Sequence, residues 1–125
     1  LCDYFIDVFN GRRLNMTPNS LGTSNVVIDP SDQSVQSILQ SLPRCIRVEG
    51  FLGGNSNALT GDFSFGITGT LFEKGIPLQG VSEMNISGNI FDLLHKYQVA
   101  ANDVWTFGSY RTPSLLFDAI QFSGT

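Results

Sequence analysis

The chain has 125 residues, 42% of them hydrophobic and ten of them phenylalanine, which is enough for one domain with a real core. Eleven acidic residues against seven basic leave a net charge of −4, and only Arg12-Arg13 concentrates basic charge. That balance argues against a direct nucleic-acid binder, which would show a basic stripe, and no apolar run approaches the ~20 residues of a membrane span. In chain order, Tyr4, Ile6 and Val8 read as a strand already under way at residue 1, as in a piece of a longer protein. Asn10 to Leu14 suits a short helical turn, and residues 15–24 are loop by composition. Val26, Val27 and Ile28 form a short buried strand that Pro30 ends. Ser31 is placed to cap a helix whose apolar residues Val35, Ile38, Leu39 and Leu42 recur at i, i+3, i+4 and i+7. Pro43 stops that helix, and its serine and glutamine face suits a helix that covers a sheet.

Cys45 to Phe51 reads as a strand, followed by a glycine-asparagine loop. The segment Gly50 to Thr70 then carries the clearest pattern in the chain. Phe63, Phe65, Ile67 and Leu71 share one face of a strand from Asp62 to Phe72, with Gly69 in register. Ser64, Gly66, Thr68 and Thr70 form the other face, small and polar without charge. Such a face lets another backbone approach: a sheet, a subunit or an extended peptide. Glu73-Lys74-Gly75 is a turn, and Ile76 to Ser87 is the return strand, with Pro77 near its start. Asn89 can cap a second helix through Tyr97, with Ile90, Leu93, Leu94 and Tyr97 as its apolar face. Val104 to Tyr110 and Ser114 to Phe122 complete the reading as closing strands. About six strands and two covering helices, joined by hairpins, make an α+β domain of mostly antiparallel sheet.

The residues supply no self-contained active site. His95 is the single histidine, and a lone helical histidine is most simply a surface or boundary residue. A zinc site needs three or four convergent ligands, and neither CxxC nor HExxH occurs. The G-x-S-x-G turn of a serine nucleophile is absent, and the glycines at 53, 54 and 61 do not lead into a helix as a phosphate loop would. Of the available carboxylates, Asp62 follows Thr60-Gly61 as a turn aspartate does, Asp92 supports a helix start, and Glu83 lies in the return strand. Arg12-Arg13 suits a solvated face or a partner contact. Cys2 and Cys45 could form a disulfide, but nothing in the sequence is secretory, and reduced thiols are the expectation. The triplets at Asn15 and Asn85 match a glycosylation acceptor only by a short pattern.

The order of motifs resembles the C-terminal part of the TldD/PmbA proteins, which are named as modulators of DNA gyrase and regarded as metallopeptidases. The shared segments are Asn10 to Leu14 (NGRRL), Ser24 to Pro30 (SNVVIDP) and Leu59 to Gly66 (LTGDFSFG), then Gly88 to Leu94 (GNIFDLL) and Gly108 to Phe117 (GSYRTPSLLF). The match covers essentially all 125 residues and about the last third of a family member. It implies a multi-sheet fold with mixed β-sandwich and β-barrel features. It also implies a dimeric bacterial or archaeal cytoplasmic protein. TldD-type subunits carry an upstream HExxxH metal motif and a cysteine ligand just before a glycine near the chain's end. PmbA-type subunits, also called TldE, lack the HExxxH motif. Together they enclose a chamber that cleaves unfolded peptides, including an antibiotic-peptide precursor and antitoxins.

Here Phe107 stands before Gly108, and no cysteine follows Cys45. The resemblance therefore points to the PmbA/TldE-like branch: a domain with no metal ligands and no catalytic residues of its own. Zinc would be held by a TldD-like partner or an upstream motif. Asn57, Thr60, Gly61, Asp62 and Ser64 are the expected wall of a peptide channel or a subunit interface, the partner being a TldD-like subunit or a second copy. The alternatives are an active peptidase subunit whose metal motif lies upstream, and a gyrase-associated regulatory protein.

Overall fold

The computed structural model describes residues 8–17 and 25–124. Its elements are α1 (Val8–Leu14), β1 (Val26–Val27), α2 (Val35–Ser41), β2 (Cys45–Ser56), β3 (Asp62–Glu73) and β4 (Ile76–Asn89). They continue with α3 (Ile90–His95), β5 (Tyr97–Ala100), β6 (Tyr110–Arg111), β7 (Leu115–Phe117) and β8 (Gln121–Ser123). The main sheet is antiparallel, in the order β2-β3-β4-β8. Two small ladders accompany it: β5 with β7 antiparallel, and β1 with β6 parallel. The class is α+β, as the sequence indicates. The barrel expectation is corrected: among the described residues no sheet closes, and β2 and β8 remain the edges of an open one.

β3 organises the sheet. Phe63, Ile67, Gly69 and Leu71 are each more buried than the residues on either side, and Ile67 is fully buried, while Phe65 and Gly66 are both half-buried. The alternation survives because the neighbours absorb the irregularities. Val48 and Gly50 pair with consecutive residues of β3, and so do Pro77 and Gln79, so the surplus residues fall in β2 and β4. Gly69 makes the close approach possible: a Cβ there would sit 2.1 Å from the Arg47 carbonyl oxygen. The β3–β4 turn has Lys74 and Gly75 at φ 48° and 82°, the two positive values of a two-residue hairpin turn whose twist matches the strands.

α2 packs beside this turn, and Ile38 and Leu39 are buried with Leu71 and Val81. Its cap is Ser34, whose hydroxyl accepts from the Ser37 amide at 3.1 Å. The expected cap, Ser31, is engaged elsewhere: its hydroxyl donates to the Ala100 carbonyl and accepts from the Gln33 amide. Asn89 does cap α3, but that helix buries no residue and stops at His95. Tyr97 begins β5 instead, because pairing with β7 satisfies its backbone. α3 is therefore not a covering helix.

Three further expectations change. The glycine-asparagine loop after Phe51 is strand: β2 continues through Gly53 and Gly54 to Ser56, at the cost of a second bulge. The two closing strands are three short ones, and residues 104–109 join none of them. Val8 opens α1 rather than ending a strand, whereas Tyr4 and Ile6 lie outside the described residues. Cys2 lies outside them too. Cys45 is a half-buried free thiol, and its burial raises its pKa.

Candidate functional site

Four of the five residues singled out from the sequence meet at one tip of the sheet, where the β2–β3 loop abuts the β4–α3 junction. The loop closes on its own backbone: Asn57 donates to the Asp62 carbonyl at 2.8 Å, and Gly61 donates to the Asn57 carbonyl at 2.7 Å. The Asn57 side-chain oxygen accepts from the amides of Leu59 and Thr60 at 2.9 and 3.3 Å. Gly61 sits at φ 82°, and an added Cβ would meet the Ile90 side chain at 2.8 Å. A side chain there would be strained on both counts.

The Asp62 carboxylate is spoken for. One oxygen accepts from the Thr60 hydroxyl at 2.8 Å and the other from the Asn89 amide at 2.9 Å. The Asn89 bond first, and the Thr60 bond second, hold its pKa below the ordinary aspartate value. Asn89 also donates to the Thr60 carbonyl at 2.8 Å, while its oxygen accepts from the Phe91 amide at 3.0 Å to cap α3. One side chain thus joins loop, strand and helix. The sequence shows Asn89 as a cap; its reach to Asp62, 27 residues away, follows from the antiparallel register that pairs the two.

Ser64 stands apart from this network, on the opposite sheet face from the phenylalanines. Across the four strands Asn55, Ser64, Ser87 and Gln121 lie in one row, and Gly66, Asn85 and Ser123 in the next. The uncharged face read from β3 therefore continues along these two rows, the first of which crosses all four strands, with the exposed Leu52 of β2 beside Gly66. It is bounded by the Asp62 row at one end and the Arg47 row at the other.

An open cleft of about 670 Å³ lies on the other face, with Ile46, Leu71, Val81, Met84 and Phe122 in its lining and Glu83 beside them. None of the five selected residues lines it. A second polar clamp holds the C-terminal part: Asp103 accepts from the Ser114 amide at 2.8 Å and from its hydroxyl at 2.6 Å. Burial works against the charge of Asp103, but these bonds, its own amide and the field of Arg47 outweigh it, so its pKa lies below the ordinary value. His95 lies with Nδ1 2.7 Å from the Phe91 carbonyl one turn back, so Nδ1 carries the proton. Among the described residues no three His, Cys, Asp or Glu side chains converge as metal ligands would. No described helix is long and apolar enough to cross a membrane.

An open antiparallel sheet with a self-bonded tip and an uncharged face is a domain that presents surfaces. Residues 1–124 match the family profile of the PmbA/TldA metallopeptidase C-terminal domain, and the chain belongs to that family. Similar curated proteins include the metalloprotease PmbA homologue of Buchnera aphidicola (subspecies Baizongia pistaciae), 29% identical over 97% of this chain. The metalloprotease PmbA of Escherichia coli O157:H7 is 26% identical over 99%. The chain spans 28% of the length of each. Among solved structures, a candidate modulator of DNA gyrase from Bacteroides thetaiotaomicron superposes with TM-score 0.82 at 40% identity, covering 98% of this chain and 28% of that one. TldE from Thermococcus kodakarensis shares the fold, with TM-score 0.77 at 21% identity, covering 97% of this chain and 31% of that one.

Proposed function

We propose that this C-terminal domain serves a PmbA/TldE-like subunit of a cytoplasmic peptide-cleaving complex. It would form chamber wall and subunit surface, while a TldD-like partner holds the zinc. The observation that carries the reading is the uncharged sheet face. Hydroxyl and amide groups spread over four strands can meet an extended backbone without selecting for charge, and small side chains let it come close. Kinship with proteins named PmbA supports the same branch. The Asn57–Asp62 network gives that wall a fixed end rather than a catalyst, because its polar groups bond to one another.

The test uses the full-length protein, alone and mixed with a TldD-type subunit. The expected result is no zinc bound through this region and hydrolysis of an unfolded peptide only with the partner present. Ser64→Lys should lower that hydrolysis without unfolding the domain. Stoichiometric zinc bound through this region, or peptide hydrolysis by the purified protein alone, would return it to the catalytic class. The description of the Bacteroides protein supports a second reading, in which the protein contacts gyrase; a pull-down from lysate that recovers no gyrase counts against it.

A further inference from the structure

The main sheet places its irregularities in a consistent way. β3 pairs with a neighbour on both sides and carries no surplus residue. β2 has a free outer side along its whole length among the described residues, and it carries two. One is Glu49, between Val48 opposite Gly69 and Gly50 opposite Thr68; the other arises where Leu52 and Gly53 together face Gly66. β4 shows both conditions in one strand. From Asn85 to Ser87 it is covered by β8, and there its pairing with β3 is regular. From Ile76 to Met84 no described strand covers its outer side, and that stretch holds both of its irregularities, at Leu78 and at Ser82-Glu83. The β5–β7 ladder follows the same rule: β5, paired on one side, holds the surplus Gln98.

A bulge on a free side has a specific effect. An added strand must meet outward N–H and C=O groups that recur at every second residue, and one extra residue bends the strand and shifts that spacing. The regular uncovered runs beside and between the bulges are Cys45–Val48, Gly50–Phe51 and Gly54–Ser56 in β2, and Gln79–Val81 in β4. Each is shorter than the ~5–6 residues of an ordinary strand. Side chains act in the same direction. Arg47, Glu49 and Glu83 put charge on the uncovered stretches, and Pro77 removes a donor from one. β8, the edge on the other side, is short, Gln121–Ser123.

The β8 ladder itself ends at the Glu83 bulge. Glu83 holds φ 60°, which a non-glycine residue seldom adopts unless its surroundings impose it. The chain leaving β8 closes on that bulge: a Cβ on Gly124 would lie 2.8 Å from the Glu83 carbonyl oxygen.

We propose that these bulges guard the sheet's uncovered edges, so that no second copy of this chain adds to the sheet as a further strand. A bare row of backbone donors and acceptors is otherwise a template for such pairing. The guard does not depend on the peptide-chamber reading, and neither zinc nor peptide cleavage enters its test.

The experiment deletes a surplus residue from the full-length protein, Glu49 in one variant and Glu83 in another. Each deletion keeps the register with β3 on both sides. The first joins Cys45–Val48 to Gly50–Phe51, and the second joins Gln79–Val81 through Ser82 to Met84–Ser87. Sedimentation velocity over a hundredfold range of concentration compares each variant with its parent. The expected result is an at least tenfold larger fraction associated beyond the parent's own assembly state, with native hydrogen exchange around Ile67. A variant that keeps that exchange and sediments as the parent does would overturn the proposal. Glu83→Gly keeps the bulge, since glycine suits φ 60°, and removes the charge. It should not associate; association as strong as that of the deletion would show that charge, not the bulge, is the guard. Where neither deletion folds, hydrogen exchange of the parent decides. The Ile76–Met84 amides that do not bond to β3 should exchange within tenfold of their unfolded rate. Strong protection there would reveal an edge already paired, and the proposal would fail.

Discussion

The two ends of β3 are held by different forces. At one end Ile67, Gly69 and Leu71 are buried, and the strand is fixed by packing and by β2 closing on Gly69. At the other end Asp62 is exposed, and the strand is fixed by hydrogen bonds among Asn57, Thr60, Asp62 and Asn89. Burial is non-directional and roughly proportional to area, so it tolerates the bulges of β2 and β4. The tip depends on geometry, because each of its bonds needs a particular donor in a particular place.

Substitutions that separate packing from hydrogen bonding should therefore divide the ends. The largest effect is expected at Ile67→Ala, which empties a fully buried site and should cost about 2–5 kcal/mol in urea unfolding. Gly69→Ala follows, at about 1–3 kcal/mol, since its Cβ forces β2 away at Arg47. Asn89→Ala should cost about 1 kcal/mol as a lost cap. Its more telling signature is faster hydrogen exchange confined to residues 57–62 and 90–94, with the Ile67 region unchanged. If exchange rises equally at both ends, the contrast drawn between them is wrong.

Acid should act on the tip through Asp62 and on the separate Asp103–Ser114 clamp, and leave the packing of Ile67 unchanged. The folded pKa of Asp62 lies below its ordinary value of 3.8, as does that of Asp103. Their contribution to stability is present above the unfolded value and is lost as the pH falls through the folded one. Amide exchange in residues 57–62, corrected for its intrinsic pH dependence, should lose protection below about pH 4. Asp62→Asn should remove most of that local dependence. The smallest effect is expected at Ser64→Ala, within about 0.5 kcal/mol, because Ser64 is exposed and stands outside the network.

The parts legible beforehand were those set by local pattern. The alternation from Phe63 to Leu71, the Lys74-Gly75 turn and the Asn89 cap each state their structure within a few residues. The parts misread were those where a distant partner outbid the local signal. Gly53 and Gly54 look like a loop, yet pairing with β3 keeps them in a strand. Ser31 looks like a cap, yet the Ala100 carbonyl, 69 residues away, takes its hydroxyl. Tyr97 fits the helical pattern, yet β7 draws it into a strand. Of the residues selected from the sequence, Asn57, Thr60, Gly61 and Asp62 lie together at the β2–β3 turn, whereas the bonds from Asn89 to Thr60 and Asp62 depend on strand register.

Residue order alone determined that a two-faced strand would run from Asp62, with phenylalanines toward one side and hydroxyls toward the other, because side chains alternate with every residue. It also determined membership in the PmbA/TldD family, through the order and spacing of its motifs. Tertiary structure decided which glycines became strand and which became turn. It also made Asp62 a strut, and it spread the uncharged face of β3 across four strands. These outcomes depend on pairing between segments far apart in the chain, which no local periodicity specifies.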